Sequence, residues 1–282
     1  MTASSTPTWT LSGFGDEIHE DPRIQIAVLQ ALGAQHIEVR SAWGINIVEL
    51  DDARLEELRA LLAEQEMGVS AIASPLGKVD ITSDFDAELA RLDRAINAAK
   101  VLNSRYIRIF SFYYGEGVDV DSIREPVIER LTRFAEIAQA AGIVLLHENE
   151  KDIYGDTPAR VLDLITSVNS PALRVAWDNA NYVQVGAVPF DDGFEDLRPY
   201  LEYLQVKDAL ASDHSVVAAG EGDGQLRETL GALASDGFAG FASLEPHLSD
   251  AFATGGFSGA AAFGRAARAF RGLTDELGVT LK

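Results

Sequence analysis

The side chains best suited to chemistry lie in four short polar motifs in the second half of the chain. Glu148, Asp178, Gln205 and Glu245 each come at or just after a short apolar run, and successive members are 30, 27 and 40 residues apart. Each separation is about the length of one strand and one helix, so the four side chains can come from consecutive units and point to one place. Three carboxylates held together repel one another unless a cation neutralises them. The pattern therefore predicts a metal site.

The absence of cysteine narrows the kind of metal. The chain contains no cysteine, which excludes thiolate zinc sites, disulfides and cysteine nucleophiles. Carboxylate and amide oxygens prefer hard or borderline cations, so we expect one Mn²⁺ or Mg²⁺ ion, with Co²⁺ and Zn²⁺ as less favoured alternatives. Any one of the acidic residues taken alone could instead cap the helix that follows it. Their common spacing favours the metal interpretation.

The elements that must position these residues form an alternation of short apolar runs and longer amphipathic segments. Such alternation is typical of parallel strands joined by crossover helices. Eight units predict an α/β fold with a single (β/α)₈ TIM barrel domain over residues 8–282, preceded by a flexible tail at residues 1–7. The candidate strands are Thr8–Phe14, His36–Val39, Val69–Ser74, Tyr106–Phe110, Ile143–His147, Leu173–Trp177, Tyr203–Val206 and Phe241–Leu244.

An open doubly wound sheet is the competing architecture. Its signature would be a glycine-rich fingerprint directly after the first strand. The segment Gly13-Phe14-Gly15-Asp16 lacks the third glycine of that fingerprint. The barrel is therefore favoured, and its functional groups are expected at the carboxyl ends of the strands.

Four further residues near strand ends are candidates for binding a substrate. Arg40 and Lys207 could hold substrate oxygens, or could instead form ion pairs with acidic residues of the barrel mouth. Trp43 could stack on a sugar ring, although tryptophan at a strand end usually packs in the core. His247 could contact substrate, could supply a metal ligand, or could be an ordinary loop residue.

Several strings in the chain resemble the xylose isomerase-like superfamily of TIM-barrel sugar isomerases and epimerases. They are HIEVRSAWG, LLHENEKD, AWDNAN, YLQVKDA and SLEPH, and the resemblance extends over nearly the whole chain. It implies that Glu148, Asp178 and Glu245 bind one divalent metal ion and that the two glutamates also move protons. Where the superfamily has a histidine ligand, two residues before a Lys-Asp pair, this chain has Gln205.

The glutamine leaves the fourth metal ligand open. An amide oxygen binds a hard cation more weakly than imidazole binds Zn²⁺, and it favours Mg²⁺, Ca²⁺ or Mn²⁺. Either Gln205 or His247 could complete the shell. The alternation of side chains along a strand should direct His147 away from Glu148, into the layer between barrel and helices.

The chemistry implied by this site is proton abstraction next to a carbonyl, with Glu148 and Glu245 as the acid–base pair. Return of the proton to the neighbouring carbon gives isomerisation, and return to the opposite face gives epimerisation of a sugar or sugar derivative. Loss of a β-leaving group makes the protein a lyase or a subunit that cleaves keto-glycosides. A catalytically inactive barrel that serves as a binding protein is the alternative of another class.

The charge of the chain excludes several partners. It has 44 acidic and 23 basic residues, a formal net charge of −21, which repels nucleic acid and anionic membranes. An endonuclease for abasic DNA would need a basic groove and many histidine ligands, whereas this chain has 5 histidines. We expect a cytoplasmic protein without a membrane span that acts on a small carbohydrate, and a homo-oligomer is compatible with the sequence.

Overall fold

Eight short parallel strands surround the centre of the molecule, and the computed structural model describes them within residues 6–248 and 258–282. The strands are β1 Thr8–Gly13, β2 His36–Val39, β3 Gly68–Ala73, β4 Tyr106–Ile109, β5 Val144–Glu148, β6 Leu173–Asp178, β7 Leu201–Val206 and β8 Phe241–Leu244. Neighbouring strands are hydrogen-bonded in the order β1-β8-β7-β6-β5-β4-β3-β2, and a bridge between Phe14 and Glu38 joins the two ends. The (β/α)₈ barrel is confirmed.

The helices begin where the sequence supplies capping side chains. Asp21 and Thr157 each accept a hydrogen bond from a backbone N–H of the first helical turn, and each precedes a proline, which suits that position. The helices are α1 Pro22–Ala31, α2 Asp52–Glu64, α3 Phe85–Val101, α4 Arg124–Ala141, α5 Pro158–Val168, α6 Asn179–Gln184, α7 Leu226–Ser235 and α8 Gly259–Glu276. Short helical turns between Phe190 and Tyr200 follow the brief α6, and Thr280–Leu281 pairs with the start of β1.

Alternation along each strand divides the core into two parts. Side chains that face outward join the large hydrophobic layer between strands and helices, as Leu145 and Trp177 do. Side chains that face inward fill the barrel, and its lower part is apolar, with Leu146, Ala176 and Tyr203 in contact. The upper part of the interior is polar, and it lies at the carboxyl ends of the strands.

Several predicted strand boundaries moved by one or two residues, and two of these shifts matter for the site. Strands β5 and β6 include Glu148 and Asp178 as their last residues, so the backbone of both residues belongs to the sheet and not to a loop. Of the predicted tail at residues 1–7, residues 1–5 lie outside the described part of the chain. Across the described ranges, no helix is both long enough and apolar enough to cross a membrane.

Candidate active site

Three buried carboxylates meet at the top of the barrel. Glu148 ends β5, Asp178 ends β6 and Glu245 directly follows β8, and each side chain points inward. One oxygen from each lies within 4.8 Å of the other two. The structure therefore brings together three of the four residues that the sequence suggests as metal ligands.

The fourth candidate, Gln205, lies beside Asp178 in the register of β7 and β6 and is fully buried. Its Nε2 donates to both oxygens of Glu38 on β2, at 3.2 and 3.4 Å. Within residues 6–248 and 258–282, its carbonyl Oε1 accepts no hydrogen bond. A buried acceptor without a partner is unfavourable unless a ligand satisfies it.

Two buried cations contact the carboxylates. The Lys207 ammonium lies 3.0 Å from Asp178 Oδ2 and 2.9 Å from Glu245 Oε2. Arg108 on β4 donates through Nη1 to Glu148 Oε2 at 3.0 Å and lies 3.9 Å from Glu245. These contacts offset part of the repulsion within the acidic cluster.

Sequence reasoning missed Arg108. The residue is buried in the apolar strand Tyr-Ile-Arg-Ile, between Ile107 and Ile109. A charged side chain in a short buried strand is costly unless it is paired, and that cost was the available signal. Glu38, in the string HIEV on β2, carried the same signal.

Arg40 and His247 contact Oε1 of Glu245, whereas Lys207 contacts its Oε2. Arg40 contacts Asp16 at 2.8 Å, Glu17 at 2.9 Å and Glu245 at 2.9 Å. His247 Nε2 lies 3.1 Å from Glu17 and 3.4 Å from Glu245. Arg40, Lys207 and His247 thus reach the predicted mouth, and in this structure all three contact carboxylates.

Trp43 lies elsewhere. It is absent from the described residues that line the cavity at the barrel mouth, and its ring lies under the Arg54 guanidinium, 5.0 Å from the ring centroid. The expectation that Trp43 stacks on a sugar ring finds no support in this position. His147 faces outward and is fully buried beside Gly155, in agreement with strand alternation.

A cavity of about 710 Å³ opens above the acidic cluster. Five basic residues but only three acidic ones line it, the reverse of the excess of acids in the whole chain. Lys78 pairs with Glu150 at 3.0 Å on one wall. The volume suits a small molecule of sugar size. The basic residues in the lining are Arg40, Lys78, Arg108, Lys151 and Lys207.

The three carboxylates have different affinities for protons. Burial raises the pKa of Glu148 above its usual range and that of Asp178 to about 7. Burial opposes ionisation of Glu245 as well, but Lys207, His247 and Arg40 hold its pKa well below the usual range. Burial also disfavours the Lys207 ammonium, yet Asp178 and Glu245 raise its pKa well above the ordinary value. The pKa values of neighbouring carboxylates in one cluster are thus shifted in opposite directions.

The glycine-rich loop at residues 220–224 has its N–H groups occupied. The Asp208 carboxylate accepts hydrogen bonds from the backbone of Gly220, Gly222 and Gly224 at 2.9 to 3.0 Å. Barrels often bind phosphate near this position through such N–H groups. Here an internal carboxylate takes the place that a phosphate would need.

The donor set fits a hard divalent cation. Its groups are carboxylate and amide oxygens, and one of them, Gln205 Oε1, accepts no hydrogen bond in the described part of the chain. Lys207 contacts two of the same carboxylates, so its ammonium and a cation would share oxygens. The site can therefore hold a metal ion if the Lys207 ammonium moves away from these carboxylate oxygens.

Comparisons with known proteins agree with the fold. A sequence profile of the xylose isomerase-like TIM barrel family matches residues 26–273. The chain is 29% identical over 215 residues to the 2-epi-5-epi-valiolone 7-phosphate 2-epimerase of an Actinoplanes strain, covering 71% of this chain and 77% of that enzyme. It is 21% identical over 182 residues to the 3-dehydroshikimate dehydratase of Bacillus anthracis, and the match covers 64% of each chain.

Solved structures share the same barrel. A D-tagatose 3-epimerase-like protein superposes with a TM-score of 0.76 at 17% identity, over 95% of this chain and 98% of that one. A xylose isomerase-like protein from Mycobacterium smegmatis, solved in complex with magnesium, gives 0.71 at 19% identity, over 98% and 100%. The IOLI protein with a bound zinc atom gives 0.75 at 14% identity, over 95% and 98%.

Proposed function

Because the chain belongs to the xylose isomerase-like TIM barrel family, we propose that it is a divalent-metal-dependent isomerase or epimerase of a sugar or sugar derivative. The observation that carries the proposal is the buried cluster of Glu148, Asp178 and Glu245, of which Glu148 and Glu245 line a cavity of about 710 Å³. Its epimerase relative supports the reaction class, and the magnesium- and zinc-containing neighbours support a divalent metal ion.

Glu148, Asp178, Gln205 and Glu245 would hold the ion, and the all-oxygen set favours Mn²⁺ or Mg²⁺. When bound, a divalent cation supplies Lewis-acid polarisation of a carbonyl and its neighbouring hydroxyl.

The chain's own residues move the proton. One of Glu148 and Glu245 removes the carbon-bound proton next to the carbonyl, and the other, protonated beforehand, donates its own proton to the neighbouring carbon or to the opposite face of the same carbon. The Lys207 ammonium and the Arg108 guanidinium both face this pair and can donate hydrogen bonds to the oxygen on which negative charge develops. Arg40 and His247 fix the position of the Glu245 carboxylate.

A lyase reaction is the second candidate, and the dehydratase relative favours it. Both reactions begin with removal of the same proton. They differ in the fate of the carbanion, which takes up a proton in an epimerase and expels a β-hydroxyl or β-alkoxyl in a lyase.

One experiment tests both candidates. Protein loaded with Mn²⁺ is incubated in D₂O with a panel of ketoses, keto-glycosides and dehydro-sugar acids, and products are followed by NMR. An isomerase or epimerase incorporates deuterium next to the carbonyl and keeps the carbon skeleton and its oxygens, whereas a lyase forms an unsaturated product or releases the aglycone. No exchange with any substrate, together with less than roughly a tenth of an ion per chain at millimolar Mn²⁺, would reject the proposal.

A further inference from the structure

We propose that Glu38 is a positioning residue that directs the carbonyl oxygen of Gln205 to the metal site. The inference rests on the metal site of the proposed function and concerns its fourth ligand. Glu38 lies on β2, across the barrel interior from Gln205 on β7, and both side chains are fully buried. The two oxygens of Glu38 lie 3.2 and 3.4 Å from Gln205 Nε2.

The argument depends on the asymmetry of an amide. One end of the Gln205 amide donates hydrogen bonds and the other accepts them, and both oxygens of Glu38 lie within hydrogen-bonding distance of the donating end. Glu38 therefore binds the NH₂ end and leaves the carbonyl oxygen on the other side of the amide. That oxygen has no hydrogen-bond donor in the described part of the chain, and the register places Asp178 on the neighbouring strand.

Glu38 is itself held in place from below. The Tyr203 hydroxyl donates to Glu38 Oε2 at 2.8 Å and lies 2.8 Å from Ser70 Oγ, which lies 2.6 Å from Ser12 Oγ. This chain of buried hydroxyls leaves Glu38 little freedom to turn. The position of the carboxylate, and through it the orientation of the amide, is built into the barrel interior.

Without Glu38 the amide could rotate and present its NH₂ group to the cation. Amide N–H groups repel a metal ion, and only the carbonyl oxygen of glutamine is a ligand for hard cations. The Glu38–Gln205 pair thus makes an oxygen ligand at a position where a histidine would supply nitrogen. We therefore expect the pair to set the preference of the site for Mn²⁺ and Mg²⁺ over Zn²⁺.

Calorimetric titration with Mn²⁺ tests the proposal in the full chain, using Glu38→Gln, Glu38→Asp, Gln205→Ala and the double variant Glu38→Gln/Gln205→Ala. Loss of a group that orients a metal ligand typically lowers metal affinity about tenfold or more. We expect that loss in each single variant. Glu38→Asp keeps the charge but shortens the side chain. A loss of Mn²⁺ affinity in this variant therefore separates orientation of the amide from simple attraction of the cation. Glu202→Gln is the matched control, since Glu202 also accepts from a tyrosine hydroxyl, that of Tyr106 at 3.0 Å, at the lower end of the barrel.

The double variant decides how Glu38 acts. If it acts through Gln205, Glu38→Gln causes no further loss of Mn²⁺ affinity once Gln205 is alanine. An equal loss in both backgrounds, or wild-type affinity in Glu38→Asp, overturns the proposal, and melting curves without metal identify variants that fail to fold. Wild-type protein that takes up no Mn²⁺ rejects the metal site itself, whereas normal uptake by both Glu38 variants rejects only the role of Glu38.

Discussion

The upper and lower parts of the barrel interior are held together by different forces. The lower part is closed by the rings of His36, Tyr106, Tyr203 and Phe241, whose contacting pairs have centroids 5.1 to 6.3 Å apart. The upper part instead contains charged groups in contact, such as Lys207 between two carboxylates. Aromatic packing stabilises a fold directly, whereas buried charges roughly balance their desolvation cost at best.

This difference indicates that the lower end of the barrel contributes to stability and the upper end to ligand binding. Charges are retained where they bring little stability, at the end of the barrel that opens to the cavity. The lower end can be optimised for packing because no ligand has to reach it. We expect substitutions in the lower part that keep the Tyr203 hydroxyl to change stability without changing metal binding, and substitutions in the upper part to change metal binding.

The largest effect is expected at the two glutamates of the acidic cluster. Glu148→Gln and Glu245→Gln remove a proton-transferring carboxylate but keep the shape of the side chain, so each should lower the rate of carbon–hydrogen exchange by about 10²- to 10⁴-fold. Exchange in D₂O followed by NMR measures this rate, with Glu202→Gln as the control. Exchange at the wild-type rate in either variant would remove that glutamate from the acid–base pair.

A substitution in the lower part tests the other half of the comparison. Phe241→Ala removes the ring that packs on His36, Tyr106 and Tyr203, and should reduce the free energy of unfolding by about 2 to 3 kcal/mol, since Phe241 is only partly buried. Urea denaturation measures the loss. The Mn²⁺ affinity of the folded protein should be unchanged, and a parallel loss of affinity would show that the two ends are coupled.

Lys207 should compete with the metal ion. Its ammonium contacts Asp178 and Glu245, so Lys207→Met should raise Mn²⁺ affinity about tenfold, which corresponds to about 1.4 kcal/mol. The melting temperature without metal should fall, because the carboxylates lose a counter-charge. Calorimetry and melting curves with and without Mn²⁺ measure both effects, and Lys100→Met is the control. Unchanged affinity would mean that the ammonium and the ion do not share these oxygens.

The smallest effect concerns the pH dependence of stability at the lower end. Burial lowers the pKa of His36 below its ordinary value of 6.5. Below about pH 6.5 the unfolded chain binds a proton that the folded chain resists, so this residue makes stability fall as pH falls. His36→Phe should remove that part of the slope. Urea denaturation from pH 7.5 to pH 5 measures it, and identical slopes in the two proteins would contradict the assignment.

Much of the fold and part of the site could be predicted from local patterns. The eight apolar runs lie in the strands of the barrel, and the spacing of Glu148, Asp178, Gln205 and Glu245, about one strand and one helix at each step, predicted the convergence of the three carboxylates. Local patterns could not predict the pairing of Arg40 with Glu245, which are 205 residues apart in sequence. Nor did they identify Arg108 or Glu38, since the partners of a buried charge depend on which strands lie across the barrel.

The sequence by itself determined the architecture, the position of each acidic residue at a strand end and the oxygen character of the donor set. Those properties follow from strand alternation, from repeat length and from side-chain chemistry, all of which are local. Only the tertiary structure decided that Lys207 lies among the carboxylates, that Trp43 packs against Arg54, and that the NH₂ end of Gln205 faces Glu38. Closure of the barrel sets the contact between Gln205 and Glu38, because it brings side chains from β7 and β2 within hydrogen-bonding distance.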